Sequence, residues 1–334
     1  MSQELTLSER IISTLNTDYG IKIATLTQLA IGADLHASTY KAEALDQTSY
    51  FIKLKHGHHD TSSEILEFLW SAGIRQIIPP IKTIHEKTTQ QMDDLTLIVY
   101  PFVEGQDGFN CHLTDEHWVQ LGKTLRQVHE LDVPPSIQTH IRQETYSAKW
   151  RDAIRSTYHH IDSEPVDEIA SQLQKFMKKN RGAICRLVDR AEQLGQKLQD
   201  KSLECVLCHS DIHGGNVLID KQSHLYIVDW DEPIIAPKER DLMFIGSGVG
   251  NVWNKSLEKK LFYKGYGKTN IHREALAYYR QERIVEDMAI YSREILLTPD
   301  GGKSRLEMYN YFIDMFEPNG VVDRAFKADE NLLR

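Results

Sequence analysis

The chain has 334 residues, of which 41% are apolar, and a formal net charge of −9. A chain of this length exceeds what one hydrophobic core usually organises, so we expect two lobes, and its acidic balance disfavours nucleic acid as a partner and suits a cationic small molecule. We expect a cytoplasmic protein that contacts no membrane, because no apolar stretch approaches the length of a membrane span and the first residues lack the pattern of a signal peptide.

Spacing patterns in the first hundred residues predict a helix followed by an antiparallel meander of three strands. Apolar residues recur at helical spacing over residues 5–16, where Ser8 is a possible cap, and β-forming residues fill segments 23–29, 38–45 and 49–54. Between the first two strands, Gly32 lies in a turn whose backbone amides can approach the phosphates of a nucleotide. A plain hairpin turn is the preferred interpretation of this single glycine unless other residues indicate a nucleotide.

Lys53 is the candidate lysine for binding phosphate. An apolar triplet precedes it in the third strand, which resembles the strand that presents the phosphate-binding lysine of kinases. Lys55 faces the same side under the two-residue alternation of a strand, so the register alone does not separate the two lysines, and the triplet favours Lys53. In the helix predicted over residues 62–72, we expect Glu64 to pair with Lys53, with Glu67 as the alternative. The competing interpretation of either glutamate is a solvated carboxylate, and this interpretation is favoured for Glu67.

A change of pattern near residue 102 predicts the boundary between the two lobes. A strand over residues 95–100 runs into Pro101-Phe102-Val103-Glu104-Gly105, a hinge whose extended backbone can offer a carbonyl and an amide to a purine edge. The sequence after this hinge is mostly helical, with a helix capped by Thr114 and further helical segments at 146–199, 257–265 and 271–297. We therefore predict an α+β fold, with a small N-terminal antiparallel sheet lobe over residues 1–102 and a larger, mainly helical C-terminal lobe over residues 103–334 that contains a helical insertion at about 146–200.

The most informative segment is the run Cys-His-Ser-Asp-Ile-His-Gly-Gly-Asn at residues 208–216, followed by a predicted short strand that leads to Asp229. Each residue alone is ordinary loop chemistry that caps helices and makes turns. Together, His209, Asp211, Asn216 and Asp229 repeat the spacing of a phosphoryl-transfer site. In such a site the first aspartate receives the proton of the acceptor hydroxyl, and the asparagine and the second aspartate hold metal ions.

A zinc site is the competing interpretation of this loop, because His209, Asp211 and His213 are all possible zinc ligands. We disfavour it because no second cluster of ligands with suitable spacing lies nearby in the sequence. The phosphoryl-transfer interpretation therefore guides the assignment of the other residues.

Three further carboxylates are candidates for contact with a cationic acceptor. Asp231 and Glu232 follow Asp229, where they can bind an amine of the acceptor or form hydrogen bonds within the loop. Asp241 can likewise face the substrate or brace the catalytic loop, and bracing is favoured.

These motifs resemble those of the aminoglycoside phosphotransferase family of small-molecule kinases over about residues 20–295. The resemblance rests on Lys53, the hinge at residues 101–105, the loop that contains Asp211 and Asn216, and the sequence Asp229-Trp230-Asp231. Protein kinases share the spacing, but they have Asp-Phe-Gly where this chain has Asp-Trp-Asp, and the chain lacks a clear activation segment that ends in Ala-Pro-Glu. These departures favour a small-molecule acceptor over a protein.

The resemblance implies a two-lobed protein-kinase-like fold and an enzyme that phosphorylates a hydroxyl group with ATP and Mg²⁺ as cofactors. It implies that the acceptor is a cationic aminoglycoside-type antibiotic, with spectinomycin as the specific expectation, so that the protein confers resistance. A metabolic kinase for choline, homoserine or a sugar is one alternative, and a non-catalytic, nucleotide-binding pseudokinase is another. We expect a monomer.

The family pattern also implies a role for each matching residue. Asp211 becomes the base that orients and deprotonates the acceptor hydroxyl, and Asn216 and Asp229 become the Mg²⁺ ligands. The residues implied in nucleotide binding are Lys53 on the α- and β-phosphates, Glu64 in support of Lys53, Gly32 in the phosphate turn, and Pro101 and Val103 through backbone groups to adenine.

Overall fold

The computed structural model describes residues 6–29, 37–57, 60–246, 252–298 and 304–333. Gly32 lies outside these described residues, so its phosphate contact stays a prediction. The helices in this part of the chain are α1 (Leu7–Asp18), α2 (Thr61–Ser71), α3 (Asp115–His129), α4 (Pro135–Gln138), α5 (Lys149–Thr157), α6 (Glu168–Lys179), α7 (Arg181–Gln199), α8 (Glu239–Leu242), α9 (Ser256–Tyr266), α10 (Arg273–Leu297), α11 (Ser304–Asp314) and α12 (Val321–Leu333). The strands are β1 (Ile23–Leu29), β2 (Ala37–Ala44), β3 (Ser49–His56), β4 (Gln90–Met92), β5 (Leu95–Pro101), β6 (Gly105–Asp107), β7 (Arg142–Gln143), β8 (Val206–Cys208), β9 (Val217–Asp220), β10 (Leu225–Ile227) and β11 (Ile234–Ala236).

The chain divides into two compact units, each made of three segments. The first unit contains Met1–His112, Leu131–Ile141 and Gly215–Pro233, and the second contains Leu113–Glu130, Arg142–Gly214 and Ile234–Arg334. This division differs from the predicted boundary at residue 102. The physical reason is a long-range pairing, because β6 lies antiparallel to β9 and joins segments more than a hundred residues apart in one sheet.

An antiparallel sheet of five strands, in the order β1-β2-β3-β5-β4, dominates the first unit and confirms the predicted meander. The residues of β3 alternate between its two faces. Ile52 and Leu54 are buried in a core cluster with residues of α1, and Lys53 and Lys55 occupy the opposite face. Full burial of such an apolar side chain contributes about 1.5–3 kcal/mol, so the core face sets the register that brings both lysines to one side.

The start of α1 corrects one detail of the sequence analysis. Its N-cap is Thr6 and not Ser8, which lies within the first turn. The Thr6 hydroxyl accepts a hydrogen bond from the backbone N of Glu9 at 3.3 Å, and the Glu9 carboxylate accepts one from the backbone N of Thr6 at 2.8 Å. This reciprocal pair satisfies two otherwise unpaired backbone donors, which favours Thr6 over Ser8 as the cap. The predicted cap of α3, Thr114, is confirmed.

A three-stranded sheet of the first unit, in the order β10-β9-β6, carries the predicted metal-binding segment. β9 and β10 form an antiparallel hairpin in which Val217 lies opposite Ile227. Gly105 of β6 is required by its close approach to β9, because a Cβ atom there would lie 2.3 Å from the carbonyl oxygen of Ile219. The predicted strand before Asp229 is thus confirmed as β10.

The second unit is mainly helical, as predicted, and its core is formed by apolar residues of α5, α6, α7, α10, α11 and α12. The predicted helical insertion corresponds to α5, α6 and α7. A small sheet of order β7-β11-β8 also belongs to this unit, and β8 ends at Cys208, directly before the candidate catalytic loop. Within the described ranges, no helix is both long enough and apolar enough to cross a lipid bilayer.

Candidate active site

Lys53 forms ion pairs with two carboxylates of the first unit. Its Nζ atom lies 3.1 Å from Oδ1 of Asp229 and 2.5 Å from Oδ2 of Asp231. Burial by itself lowers the pKa of Lys53, but the negative charges of Asp229 and Asp231 outweigh burial, so the pKa is raised overall. Lys53 is therefore held in its charged form, the form that binds phosphate.

Lys55 contacts a second pair of carboxylates from the same face of β3. Its Nζ atom lies 2.6 Å from Oδ1 of Asp60 and 3.5 Å from Oδ1 of Asp231. Asp60 is the N-cap of α2, where its carboxylate also accepts a hydrogen bond from the backbone N of Ser63 at 2.8 Å. Asp231 therefore bridges the two lysines, and Lys55 connects this bridge to the start of α2. Sequence reasoning missed Asp60, whose position directly before a helix was the available signal.

The expected pair between Lys53 and Glu64 does not form, which corrects the sequence prediction. Oε2 of Glu64 lies 3.0 Å from Nδ1 of His140, and the alternative candidate, Glu67, pairs with Lys82. The two glutamate side chains are 39% and 45% exposed. Lys53 pairs instead with Asp229 and Asp231 in the loop after β10, which supply the negative charge that a carboxylate of α2 was expected to supply.

Asn216 and Asp229 lie at the same end of the β9–β10 hairpin. The backbone oxygen of Asn216 accepts a hydrogen bond from the backbone N of Val228 at 3.0 Å, which extends the pairing of the two strands by one step. Asp229 has a φ angle of 63°, a left-handed conformation that turns the chain sharply after the strand. A carboxylate and an amide oxygen are ligands that Mg²⁺ prefers, so the donor chemistry of this pair fits the expected ion.

The predicted purine-binding segment links two strands of the first unit. Pro101 is the last residue of β5, and Val103 lies in the link between β5 and β6. The backbone N of Phe102 donates a hydrogen bond to the carbonyl oxygen of Ser49 at 3.1 Å, which fixes the link against the start of β3. Because both strands belong to the first unit, this link is not the division between the units, and its contact with adenine stays a prediction.

Asp211 lies in a loop of the second unit that Asp241 braces. The Asp241 carboxylate accepts hydrogen bonds from the backbone N atoms of His209 at 2.9 Å and Ser210 at 2.7 Å, and its Oδ2 atom lies 3.0 Å from Nε2 of His129. Ser210 has a φ angle of 75°, a strained conformation that these hydrogen bonds offset. Asp241 has no exposed surface, so its predicted contact with the substrate is wrong and the favoured bracing role is the one the structure has.

His129, on α3, continues this brace into the helical core. The carboxylate of Asp241 can only accept, so Nε2 of His129 donates to it, and Nδ1 lies 2.8 Å from the hydroxyl oxygen of Tyr266. His129 and Asp241 lie 112 residues apart in the sequence. No spacing pattern connects residues so distant, which is why sequence reasoning missed His129.

The zinc alternative gains no support from the geometry of the loop. Nδ1 of His209 accepts a hydrogen bond from the backbone N of Asp211 at 3.2 Å, and the His209 ring is buried. Within the part of the chain that the structure describes, the grouping with metal-ligand spacing is His129, Cys208 and Asp241 instead. In that grouping, both carboxylate oxygens of Asp241 already accept hydrogen bonds from backbone N atoms, which disfavours it as a metal site.

Arg283 and His213 contact the partly exposed carboxylate of Asp211. Arg283, on α10, donates a hydrogen bond from Nη1 to Oδ1, and Nε2 of His213 lies 3.4 Å from Oδ2. Burial by itself raises the pKa of Asp211, but Arg283 and His213 outweigh burial and lower it overall. Asp211 is therefore ionised at neutral pH, the state in which it can accept a proton. Arg283 lies 72 residues from Asp211 and was also missed.

The remaining substrate candidates differ in their surroundings. Asp231 is 20% exposed and is bound to both Lys53 and Lys55, which favours a structural role in the loop over contact with an amine. Glu232 is exposed, and its contact with the acceptor stays a prediction.

The family model of the phosphotransferase enzyme family (APH) matches residues 27–262. Among solved structures, the chain is similar to spectinomycin phosphotransferase APH(9)-Ia in complex with ADP and spectinomycin, with 47% identity, a TM-score of 0.90, and coverage of 98% of this chain and 100% of that chain. The AMP-bound complex of spectinomycin phosphotransferase APH(9)-Ia is also 47% identical, with a TM-score of 0.85 and coverage of 95% and 97%. No curated protein matches the chain.

A more distant similarity concerns the fold alone. An aminoglycoside phosphotransferase from Alicyclobacillus acidocaldarius is 17% identical, with a TM-score of 0.64 and coverage of 100% of this chain and 97% of that chain. The kinase-like α+β fold expected from the sequence is thereby confirmed. Since the family model covers well over half of the 334 residues, the chain belongs to the phosphotransferase enzyme family.

Proposed function

We propose that this protein transfers the γ-phosphoryl group of ATP to a hydroxyl group of spectinomycin and thereby confers resistance to the antibiotic. The observation that carries this proposal is the 47% identity, over 98% of the chain, to a spectinomycin phosphotransferase whose structure contains ADP and spectinomycin. Fold similarity alone would not support a specific acceptor, because one fold serves many functions.

In this proposal, Asp211 orients the acceptor hydroxyl and receives its proton as the hydroxyl oxygen attacks the γ-phosphorus. The bond from the γ-phosphorus to the bridging oxygen breaks as the new P–O bond forms, ADP leaves, and Asp211 returns its proton to solvent. Phosphoryl transfer depends more on positioning and charge neutralisation than on a strong base. The lowered pKa of Asp211 suits this role, because the carboxylate is ionised before the acceptor binds.

Lys53 would bind the α- and β-phosphates of the nucleotide by exchanging a carboxylate partner for phosphate oxygens. Its raised pKa keeps it positively charged for this exchange. Asn216 and Asp229 would hold Mg²⁺, whose chemistry there is to neutralise the charge of the phosphate oxygens. Backbone groups of Pro101 and Val103 would face adenine.

The test measures ADP release with spectinomycin, choline, homoserine and a simple sugar as separate acceptors. Asp211→Asn should bind ATP like the wild type but lose about 10²- to 10⁴-fold in turnover, because it removes a positioned base. Asp162→Asn makes the same chemical change at a side chain that is 84% exposed in the second unit, so it should keep wild-type turnover. Excess chelator should abolish turnover, and added Mg²⁺ should restore it.

Each outcome tests a different part of the proposal: the acceptor, the reaction or the identity of the base. Spectinomycin-dependent ADP release that Asp211→Asn abolishes, with phosphorylated spectinomycin detected by phosphorus NMR, would support the whole proposal. Turnover of choline or a sugar but not of spectinomycin would overturn the acceptor and keep the reaction. ATP binding without turnover of any acceptor would favour the pseudokinase, and wild-type turnover by Asp211→Asn would overturn the assignment of the base.

A further inference from the structure

Three charged side chains of the second unit form a line that ends at the proposed base. Arg283 donates from Nη1 to Oδ1 of Asp211, and it donates from Nε to Oδ1 of Asp287 at 2.9 Å. Arg283 and Asp287 lie one helical turn apart on α10, so the helix holds them on the same face. The guanidinium carbon of Arg283 also lies 5.7 Å from the centre of the Phe244 ring.

This line differs from an ordinary surface ion pair. The side chains of Arg283 and Asp287 are only 17% and 12% exposed, and Asp211 is 36% exposed. Screening by water is therefore weak along most of the line. A guanidinium group is also rigid and planar, so contacts at two of its nitrogens fix its orientation. Arg283 is thus held firmly from α10 and can hold Asp211 in turn.

We infer that Arg283 is a positioning residue for Asp211, and that Asp287 anchors Arg283 in the required orientation. The inference rests on the proposed role of Asp211 as the base. Arg283 binds Oδ1 of the carboxylate while Nε2 of His213 lies 3.4 Å from Oδ2, so Arg283 holds one end of the carboxylate and restricts the direction in which it meets the acceptor hydroxyl. A catalytic group has to be held within about half an ångström of its productive position, which a freely rotating carboxylate does not achieve.

Among the described residues, the charged and titratable groups that interact with Asp211 include His209 and His213 of its own loop and Arg283, Asp287 and Tyr291 of α10. Glu286, also on α10, acts on Arg283 and Asp287. Arg283 lowers the pKa of Asp211, so removing its charge should raise that pKa. The acid limb of the pH profile of kcat should then move to higher pH, an effect that a loss of folded protein alone does not produce.

The experiment compares Arg283→Met, Arg283→Lys and Asp287→Asn in the full chain, with spectinomycin as acceptor. Asp287→Asn should lower kcat, but less than Arg283→Met does, because Arg283 keeps its contact with Asp211, and a wild-type kcat in Asp287→Asn would overturn the anchoring role of Asp287. Arg283→Met should lower kcat about 10- to 100-fold, as expected for a displaced catalytic group, and leave the KM for ATP within about twofold of the wild type. Arg283→Lys should have a higher kcat than Arg283→Met, because an ammonium group keeps the positive charge, although it lacks the separate nitrogens that contact Asp211 and Asp287. Arg293→Met removes an arginine that is 67% exposed on the same helix, so it should behave like the wild type.

The outcomes keep this inference separate from the proposed function. If Asp211→Asn is inactive while Arg283→Met keeps the kcat and the pH profile of the wild type, the inference is overturned and the proposed function stands. A loss of kcat in Arg283→Met without a shifted acid limb and without rescue by lysine would indicate a purely structural role and would also overturn it. If Arg283→Met does not fold, Arg283→Lys decides: a reduced kcat with an unchanged KM for ATP supports the inference, and an unchanged kcat and pH profile refute it.

Discussion

Replacing Asp241 by asparagine should destabilise the second unit and loosen the loop that carries Asp211. In the wild type, Oδ1 of Asp241 accepts a hydrogen bond from the backbone N of Ser210, and Oδ2 accepts from the backbone N of His209 and from His129. An asparagine has one oxygen at this position, so it can keep at most two of these three hydrogen bonds. Its amide nitrogen would then face a backbone N–H group in a fully buried site.

The expected loss follows from these contacts. A hydrogen bond to a charged group contributes about 1.5–3 kcal/mol, and a buried donor left facing another donor costs about 1–3 kcal/mol more. We therefore expect the free energy of unfolding to fall by about 3–5 kcal/mol, the range typical of removing one partner of a buried ion pair. The matched control is Asp162→Asn, where the exposed pair with Lys178 should contribute less than about 1 kcal/mol.

Stability should also depend on pH in a defined direction. Burial by itself raises the pKa of Asp241, but the hydrogen bond and charge of His129 outweigh burial, and the pKa is lowered overall. A group with a lowered folded-state pKa stabilises the fold fully above its unfolded value of about 3.9 and loses this contribution as the pH falls through the folded value. Wild-type stability should therefore decline below about pH 4, and Asp241→Asn should lack this part of the decline.

Urea unfolding followed by circular dichroism would measure the loss of stability, and hydrogen exchange by mass spectrometry would report on the amides of His209 and Ser210. In Asp241→Asn, at least one of these amides should exchange faster than in the wild type, because the single asparagine oxygen cannot accept from both. The reasoning is refuted if Asp241→Asn unfolds at the same urea concentration as Asp162→Asn and the two amides exchange at the wild-type rate.

Three further predictions concern the first unit. Lys53→Ala should raise the KM for ATP at least about tenfold while Lys55→Ala has a smaller effect, as measured by steady-state kinetics, and the reverse order would reassign the phosphate-binding lysine. Glu64→Gln should leave the KM for ATP unchanged, because its pair with a histidine is partly exposed and separate from Lys53, so a marked rise would restore the expected pairing. Gly105→Ala should lower the thermal unfolding temperature, because its Cβ atom would collide with a backbone carbonyl of β9. A Cβ atom at Gly182 meets no atom within 4 Å, so Gly182→Ala should not lower this temperature. Equal effects of the two substitutions would contradict the steric argument.

Local patterns were sufficient to predict much of this protein. The bounds of β1 and the Thr114 cap of α3 follow from propensities and hydrogen bonds between residues a few positions apart. The spacing of Asp211, Asn216 and Asp229 likewise lies within one short stretch of chain, which is why the family and the reaction class were accessible from the sequence. The Ser8 prediction was wrong for an equally local reason, because the reciprocal pair of Thr6 and Glu9, within two residues of Ser8, is the stronger cap.

Only the tertiary structure decided which charges meet. Lys53 and Asp229 lie 176 residues apart, and Asp211 and Arg283 lie 72 apart, so no periodic pattern in the sequence links them. The helix after β3 offered two glutamates as partners for Lys53, yet the loop after β10 supplied both of its carboxylates. A charged side chain pairs with whichever opposite charge the packing of distant strands and helices brings within a few ångströms, and that packing is set by the burial of apolar faces rather than by the charges themselves.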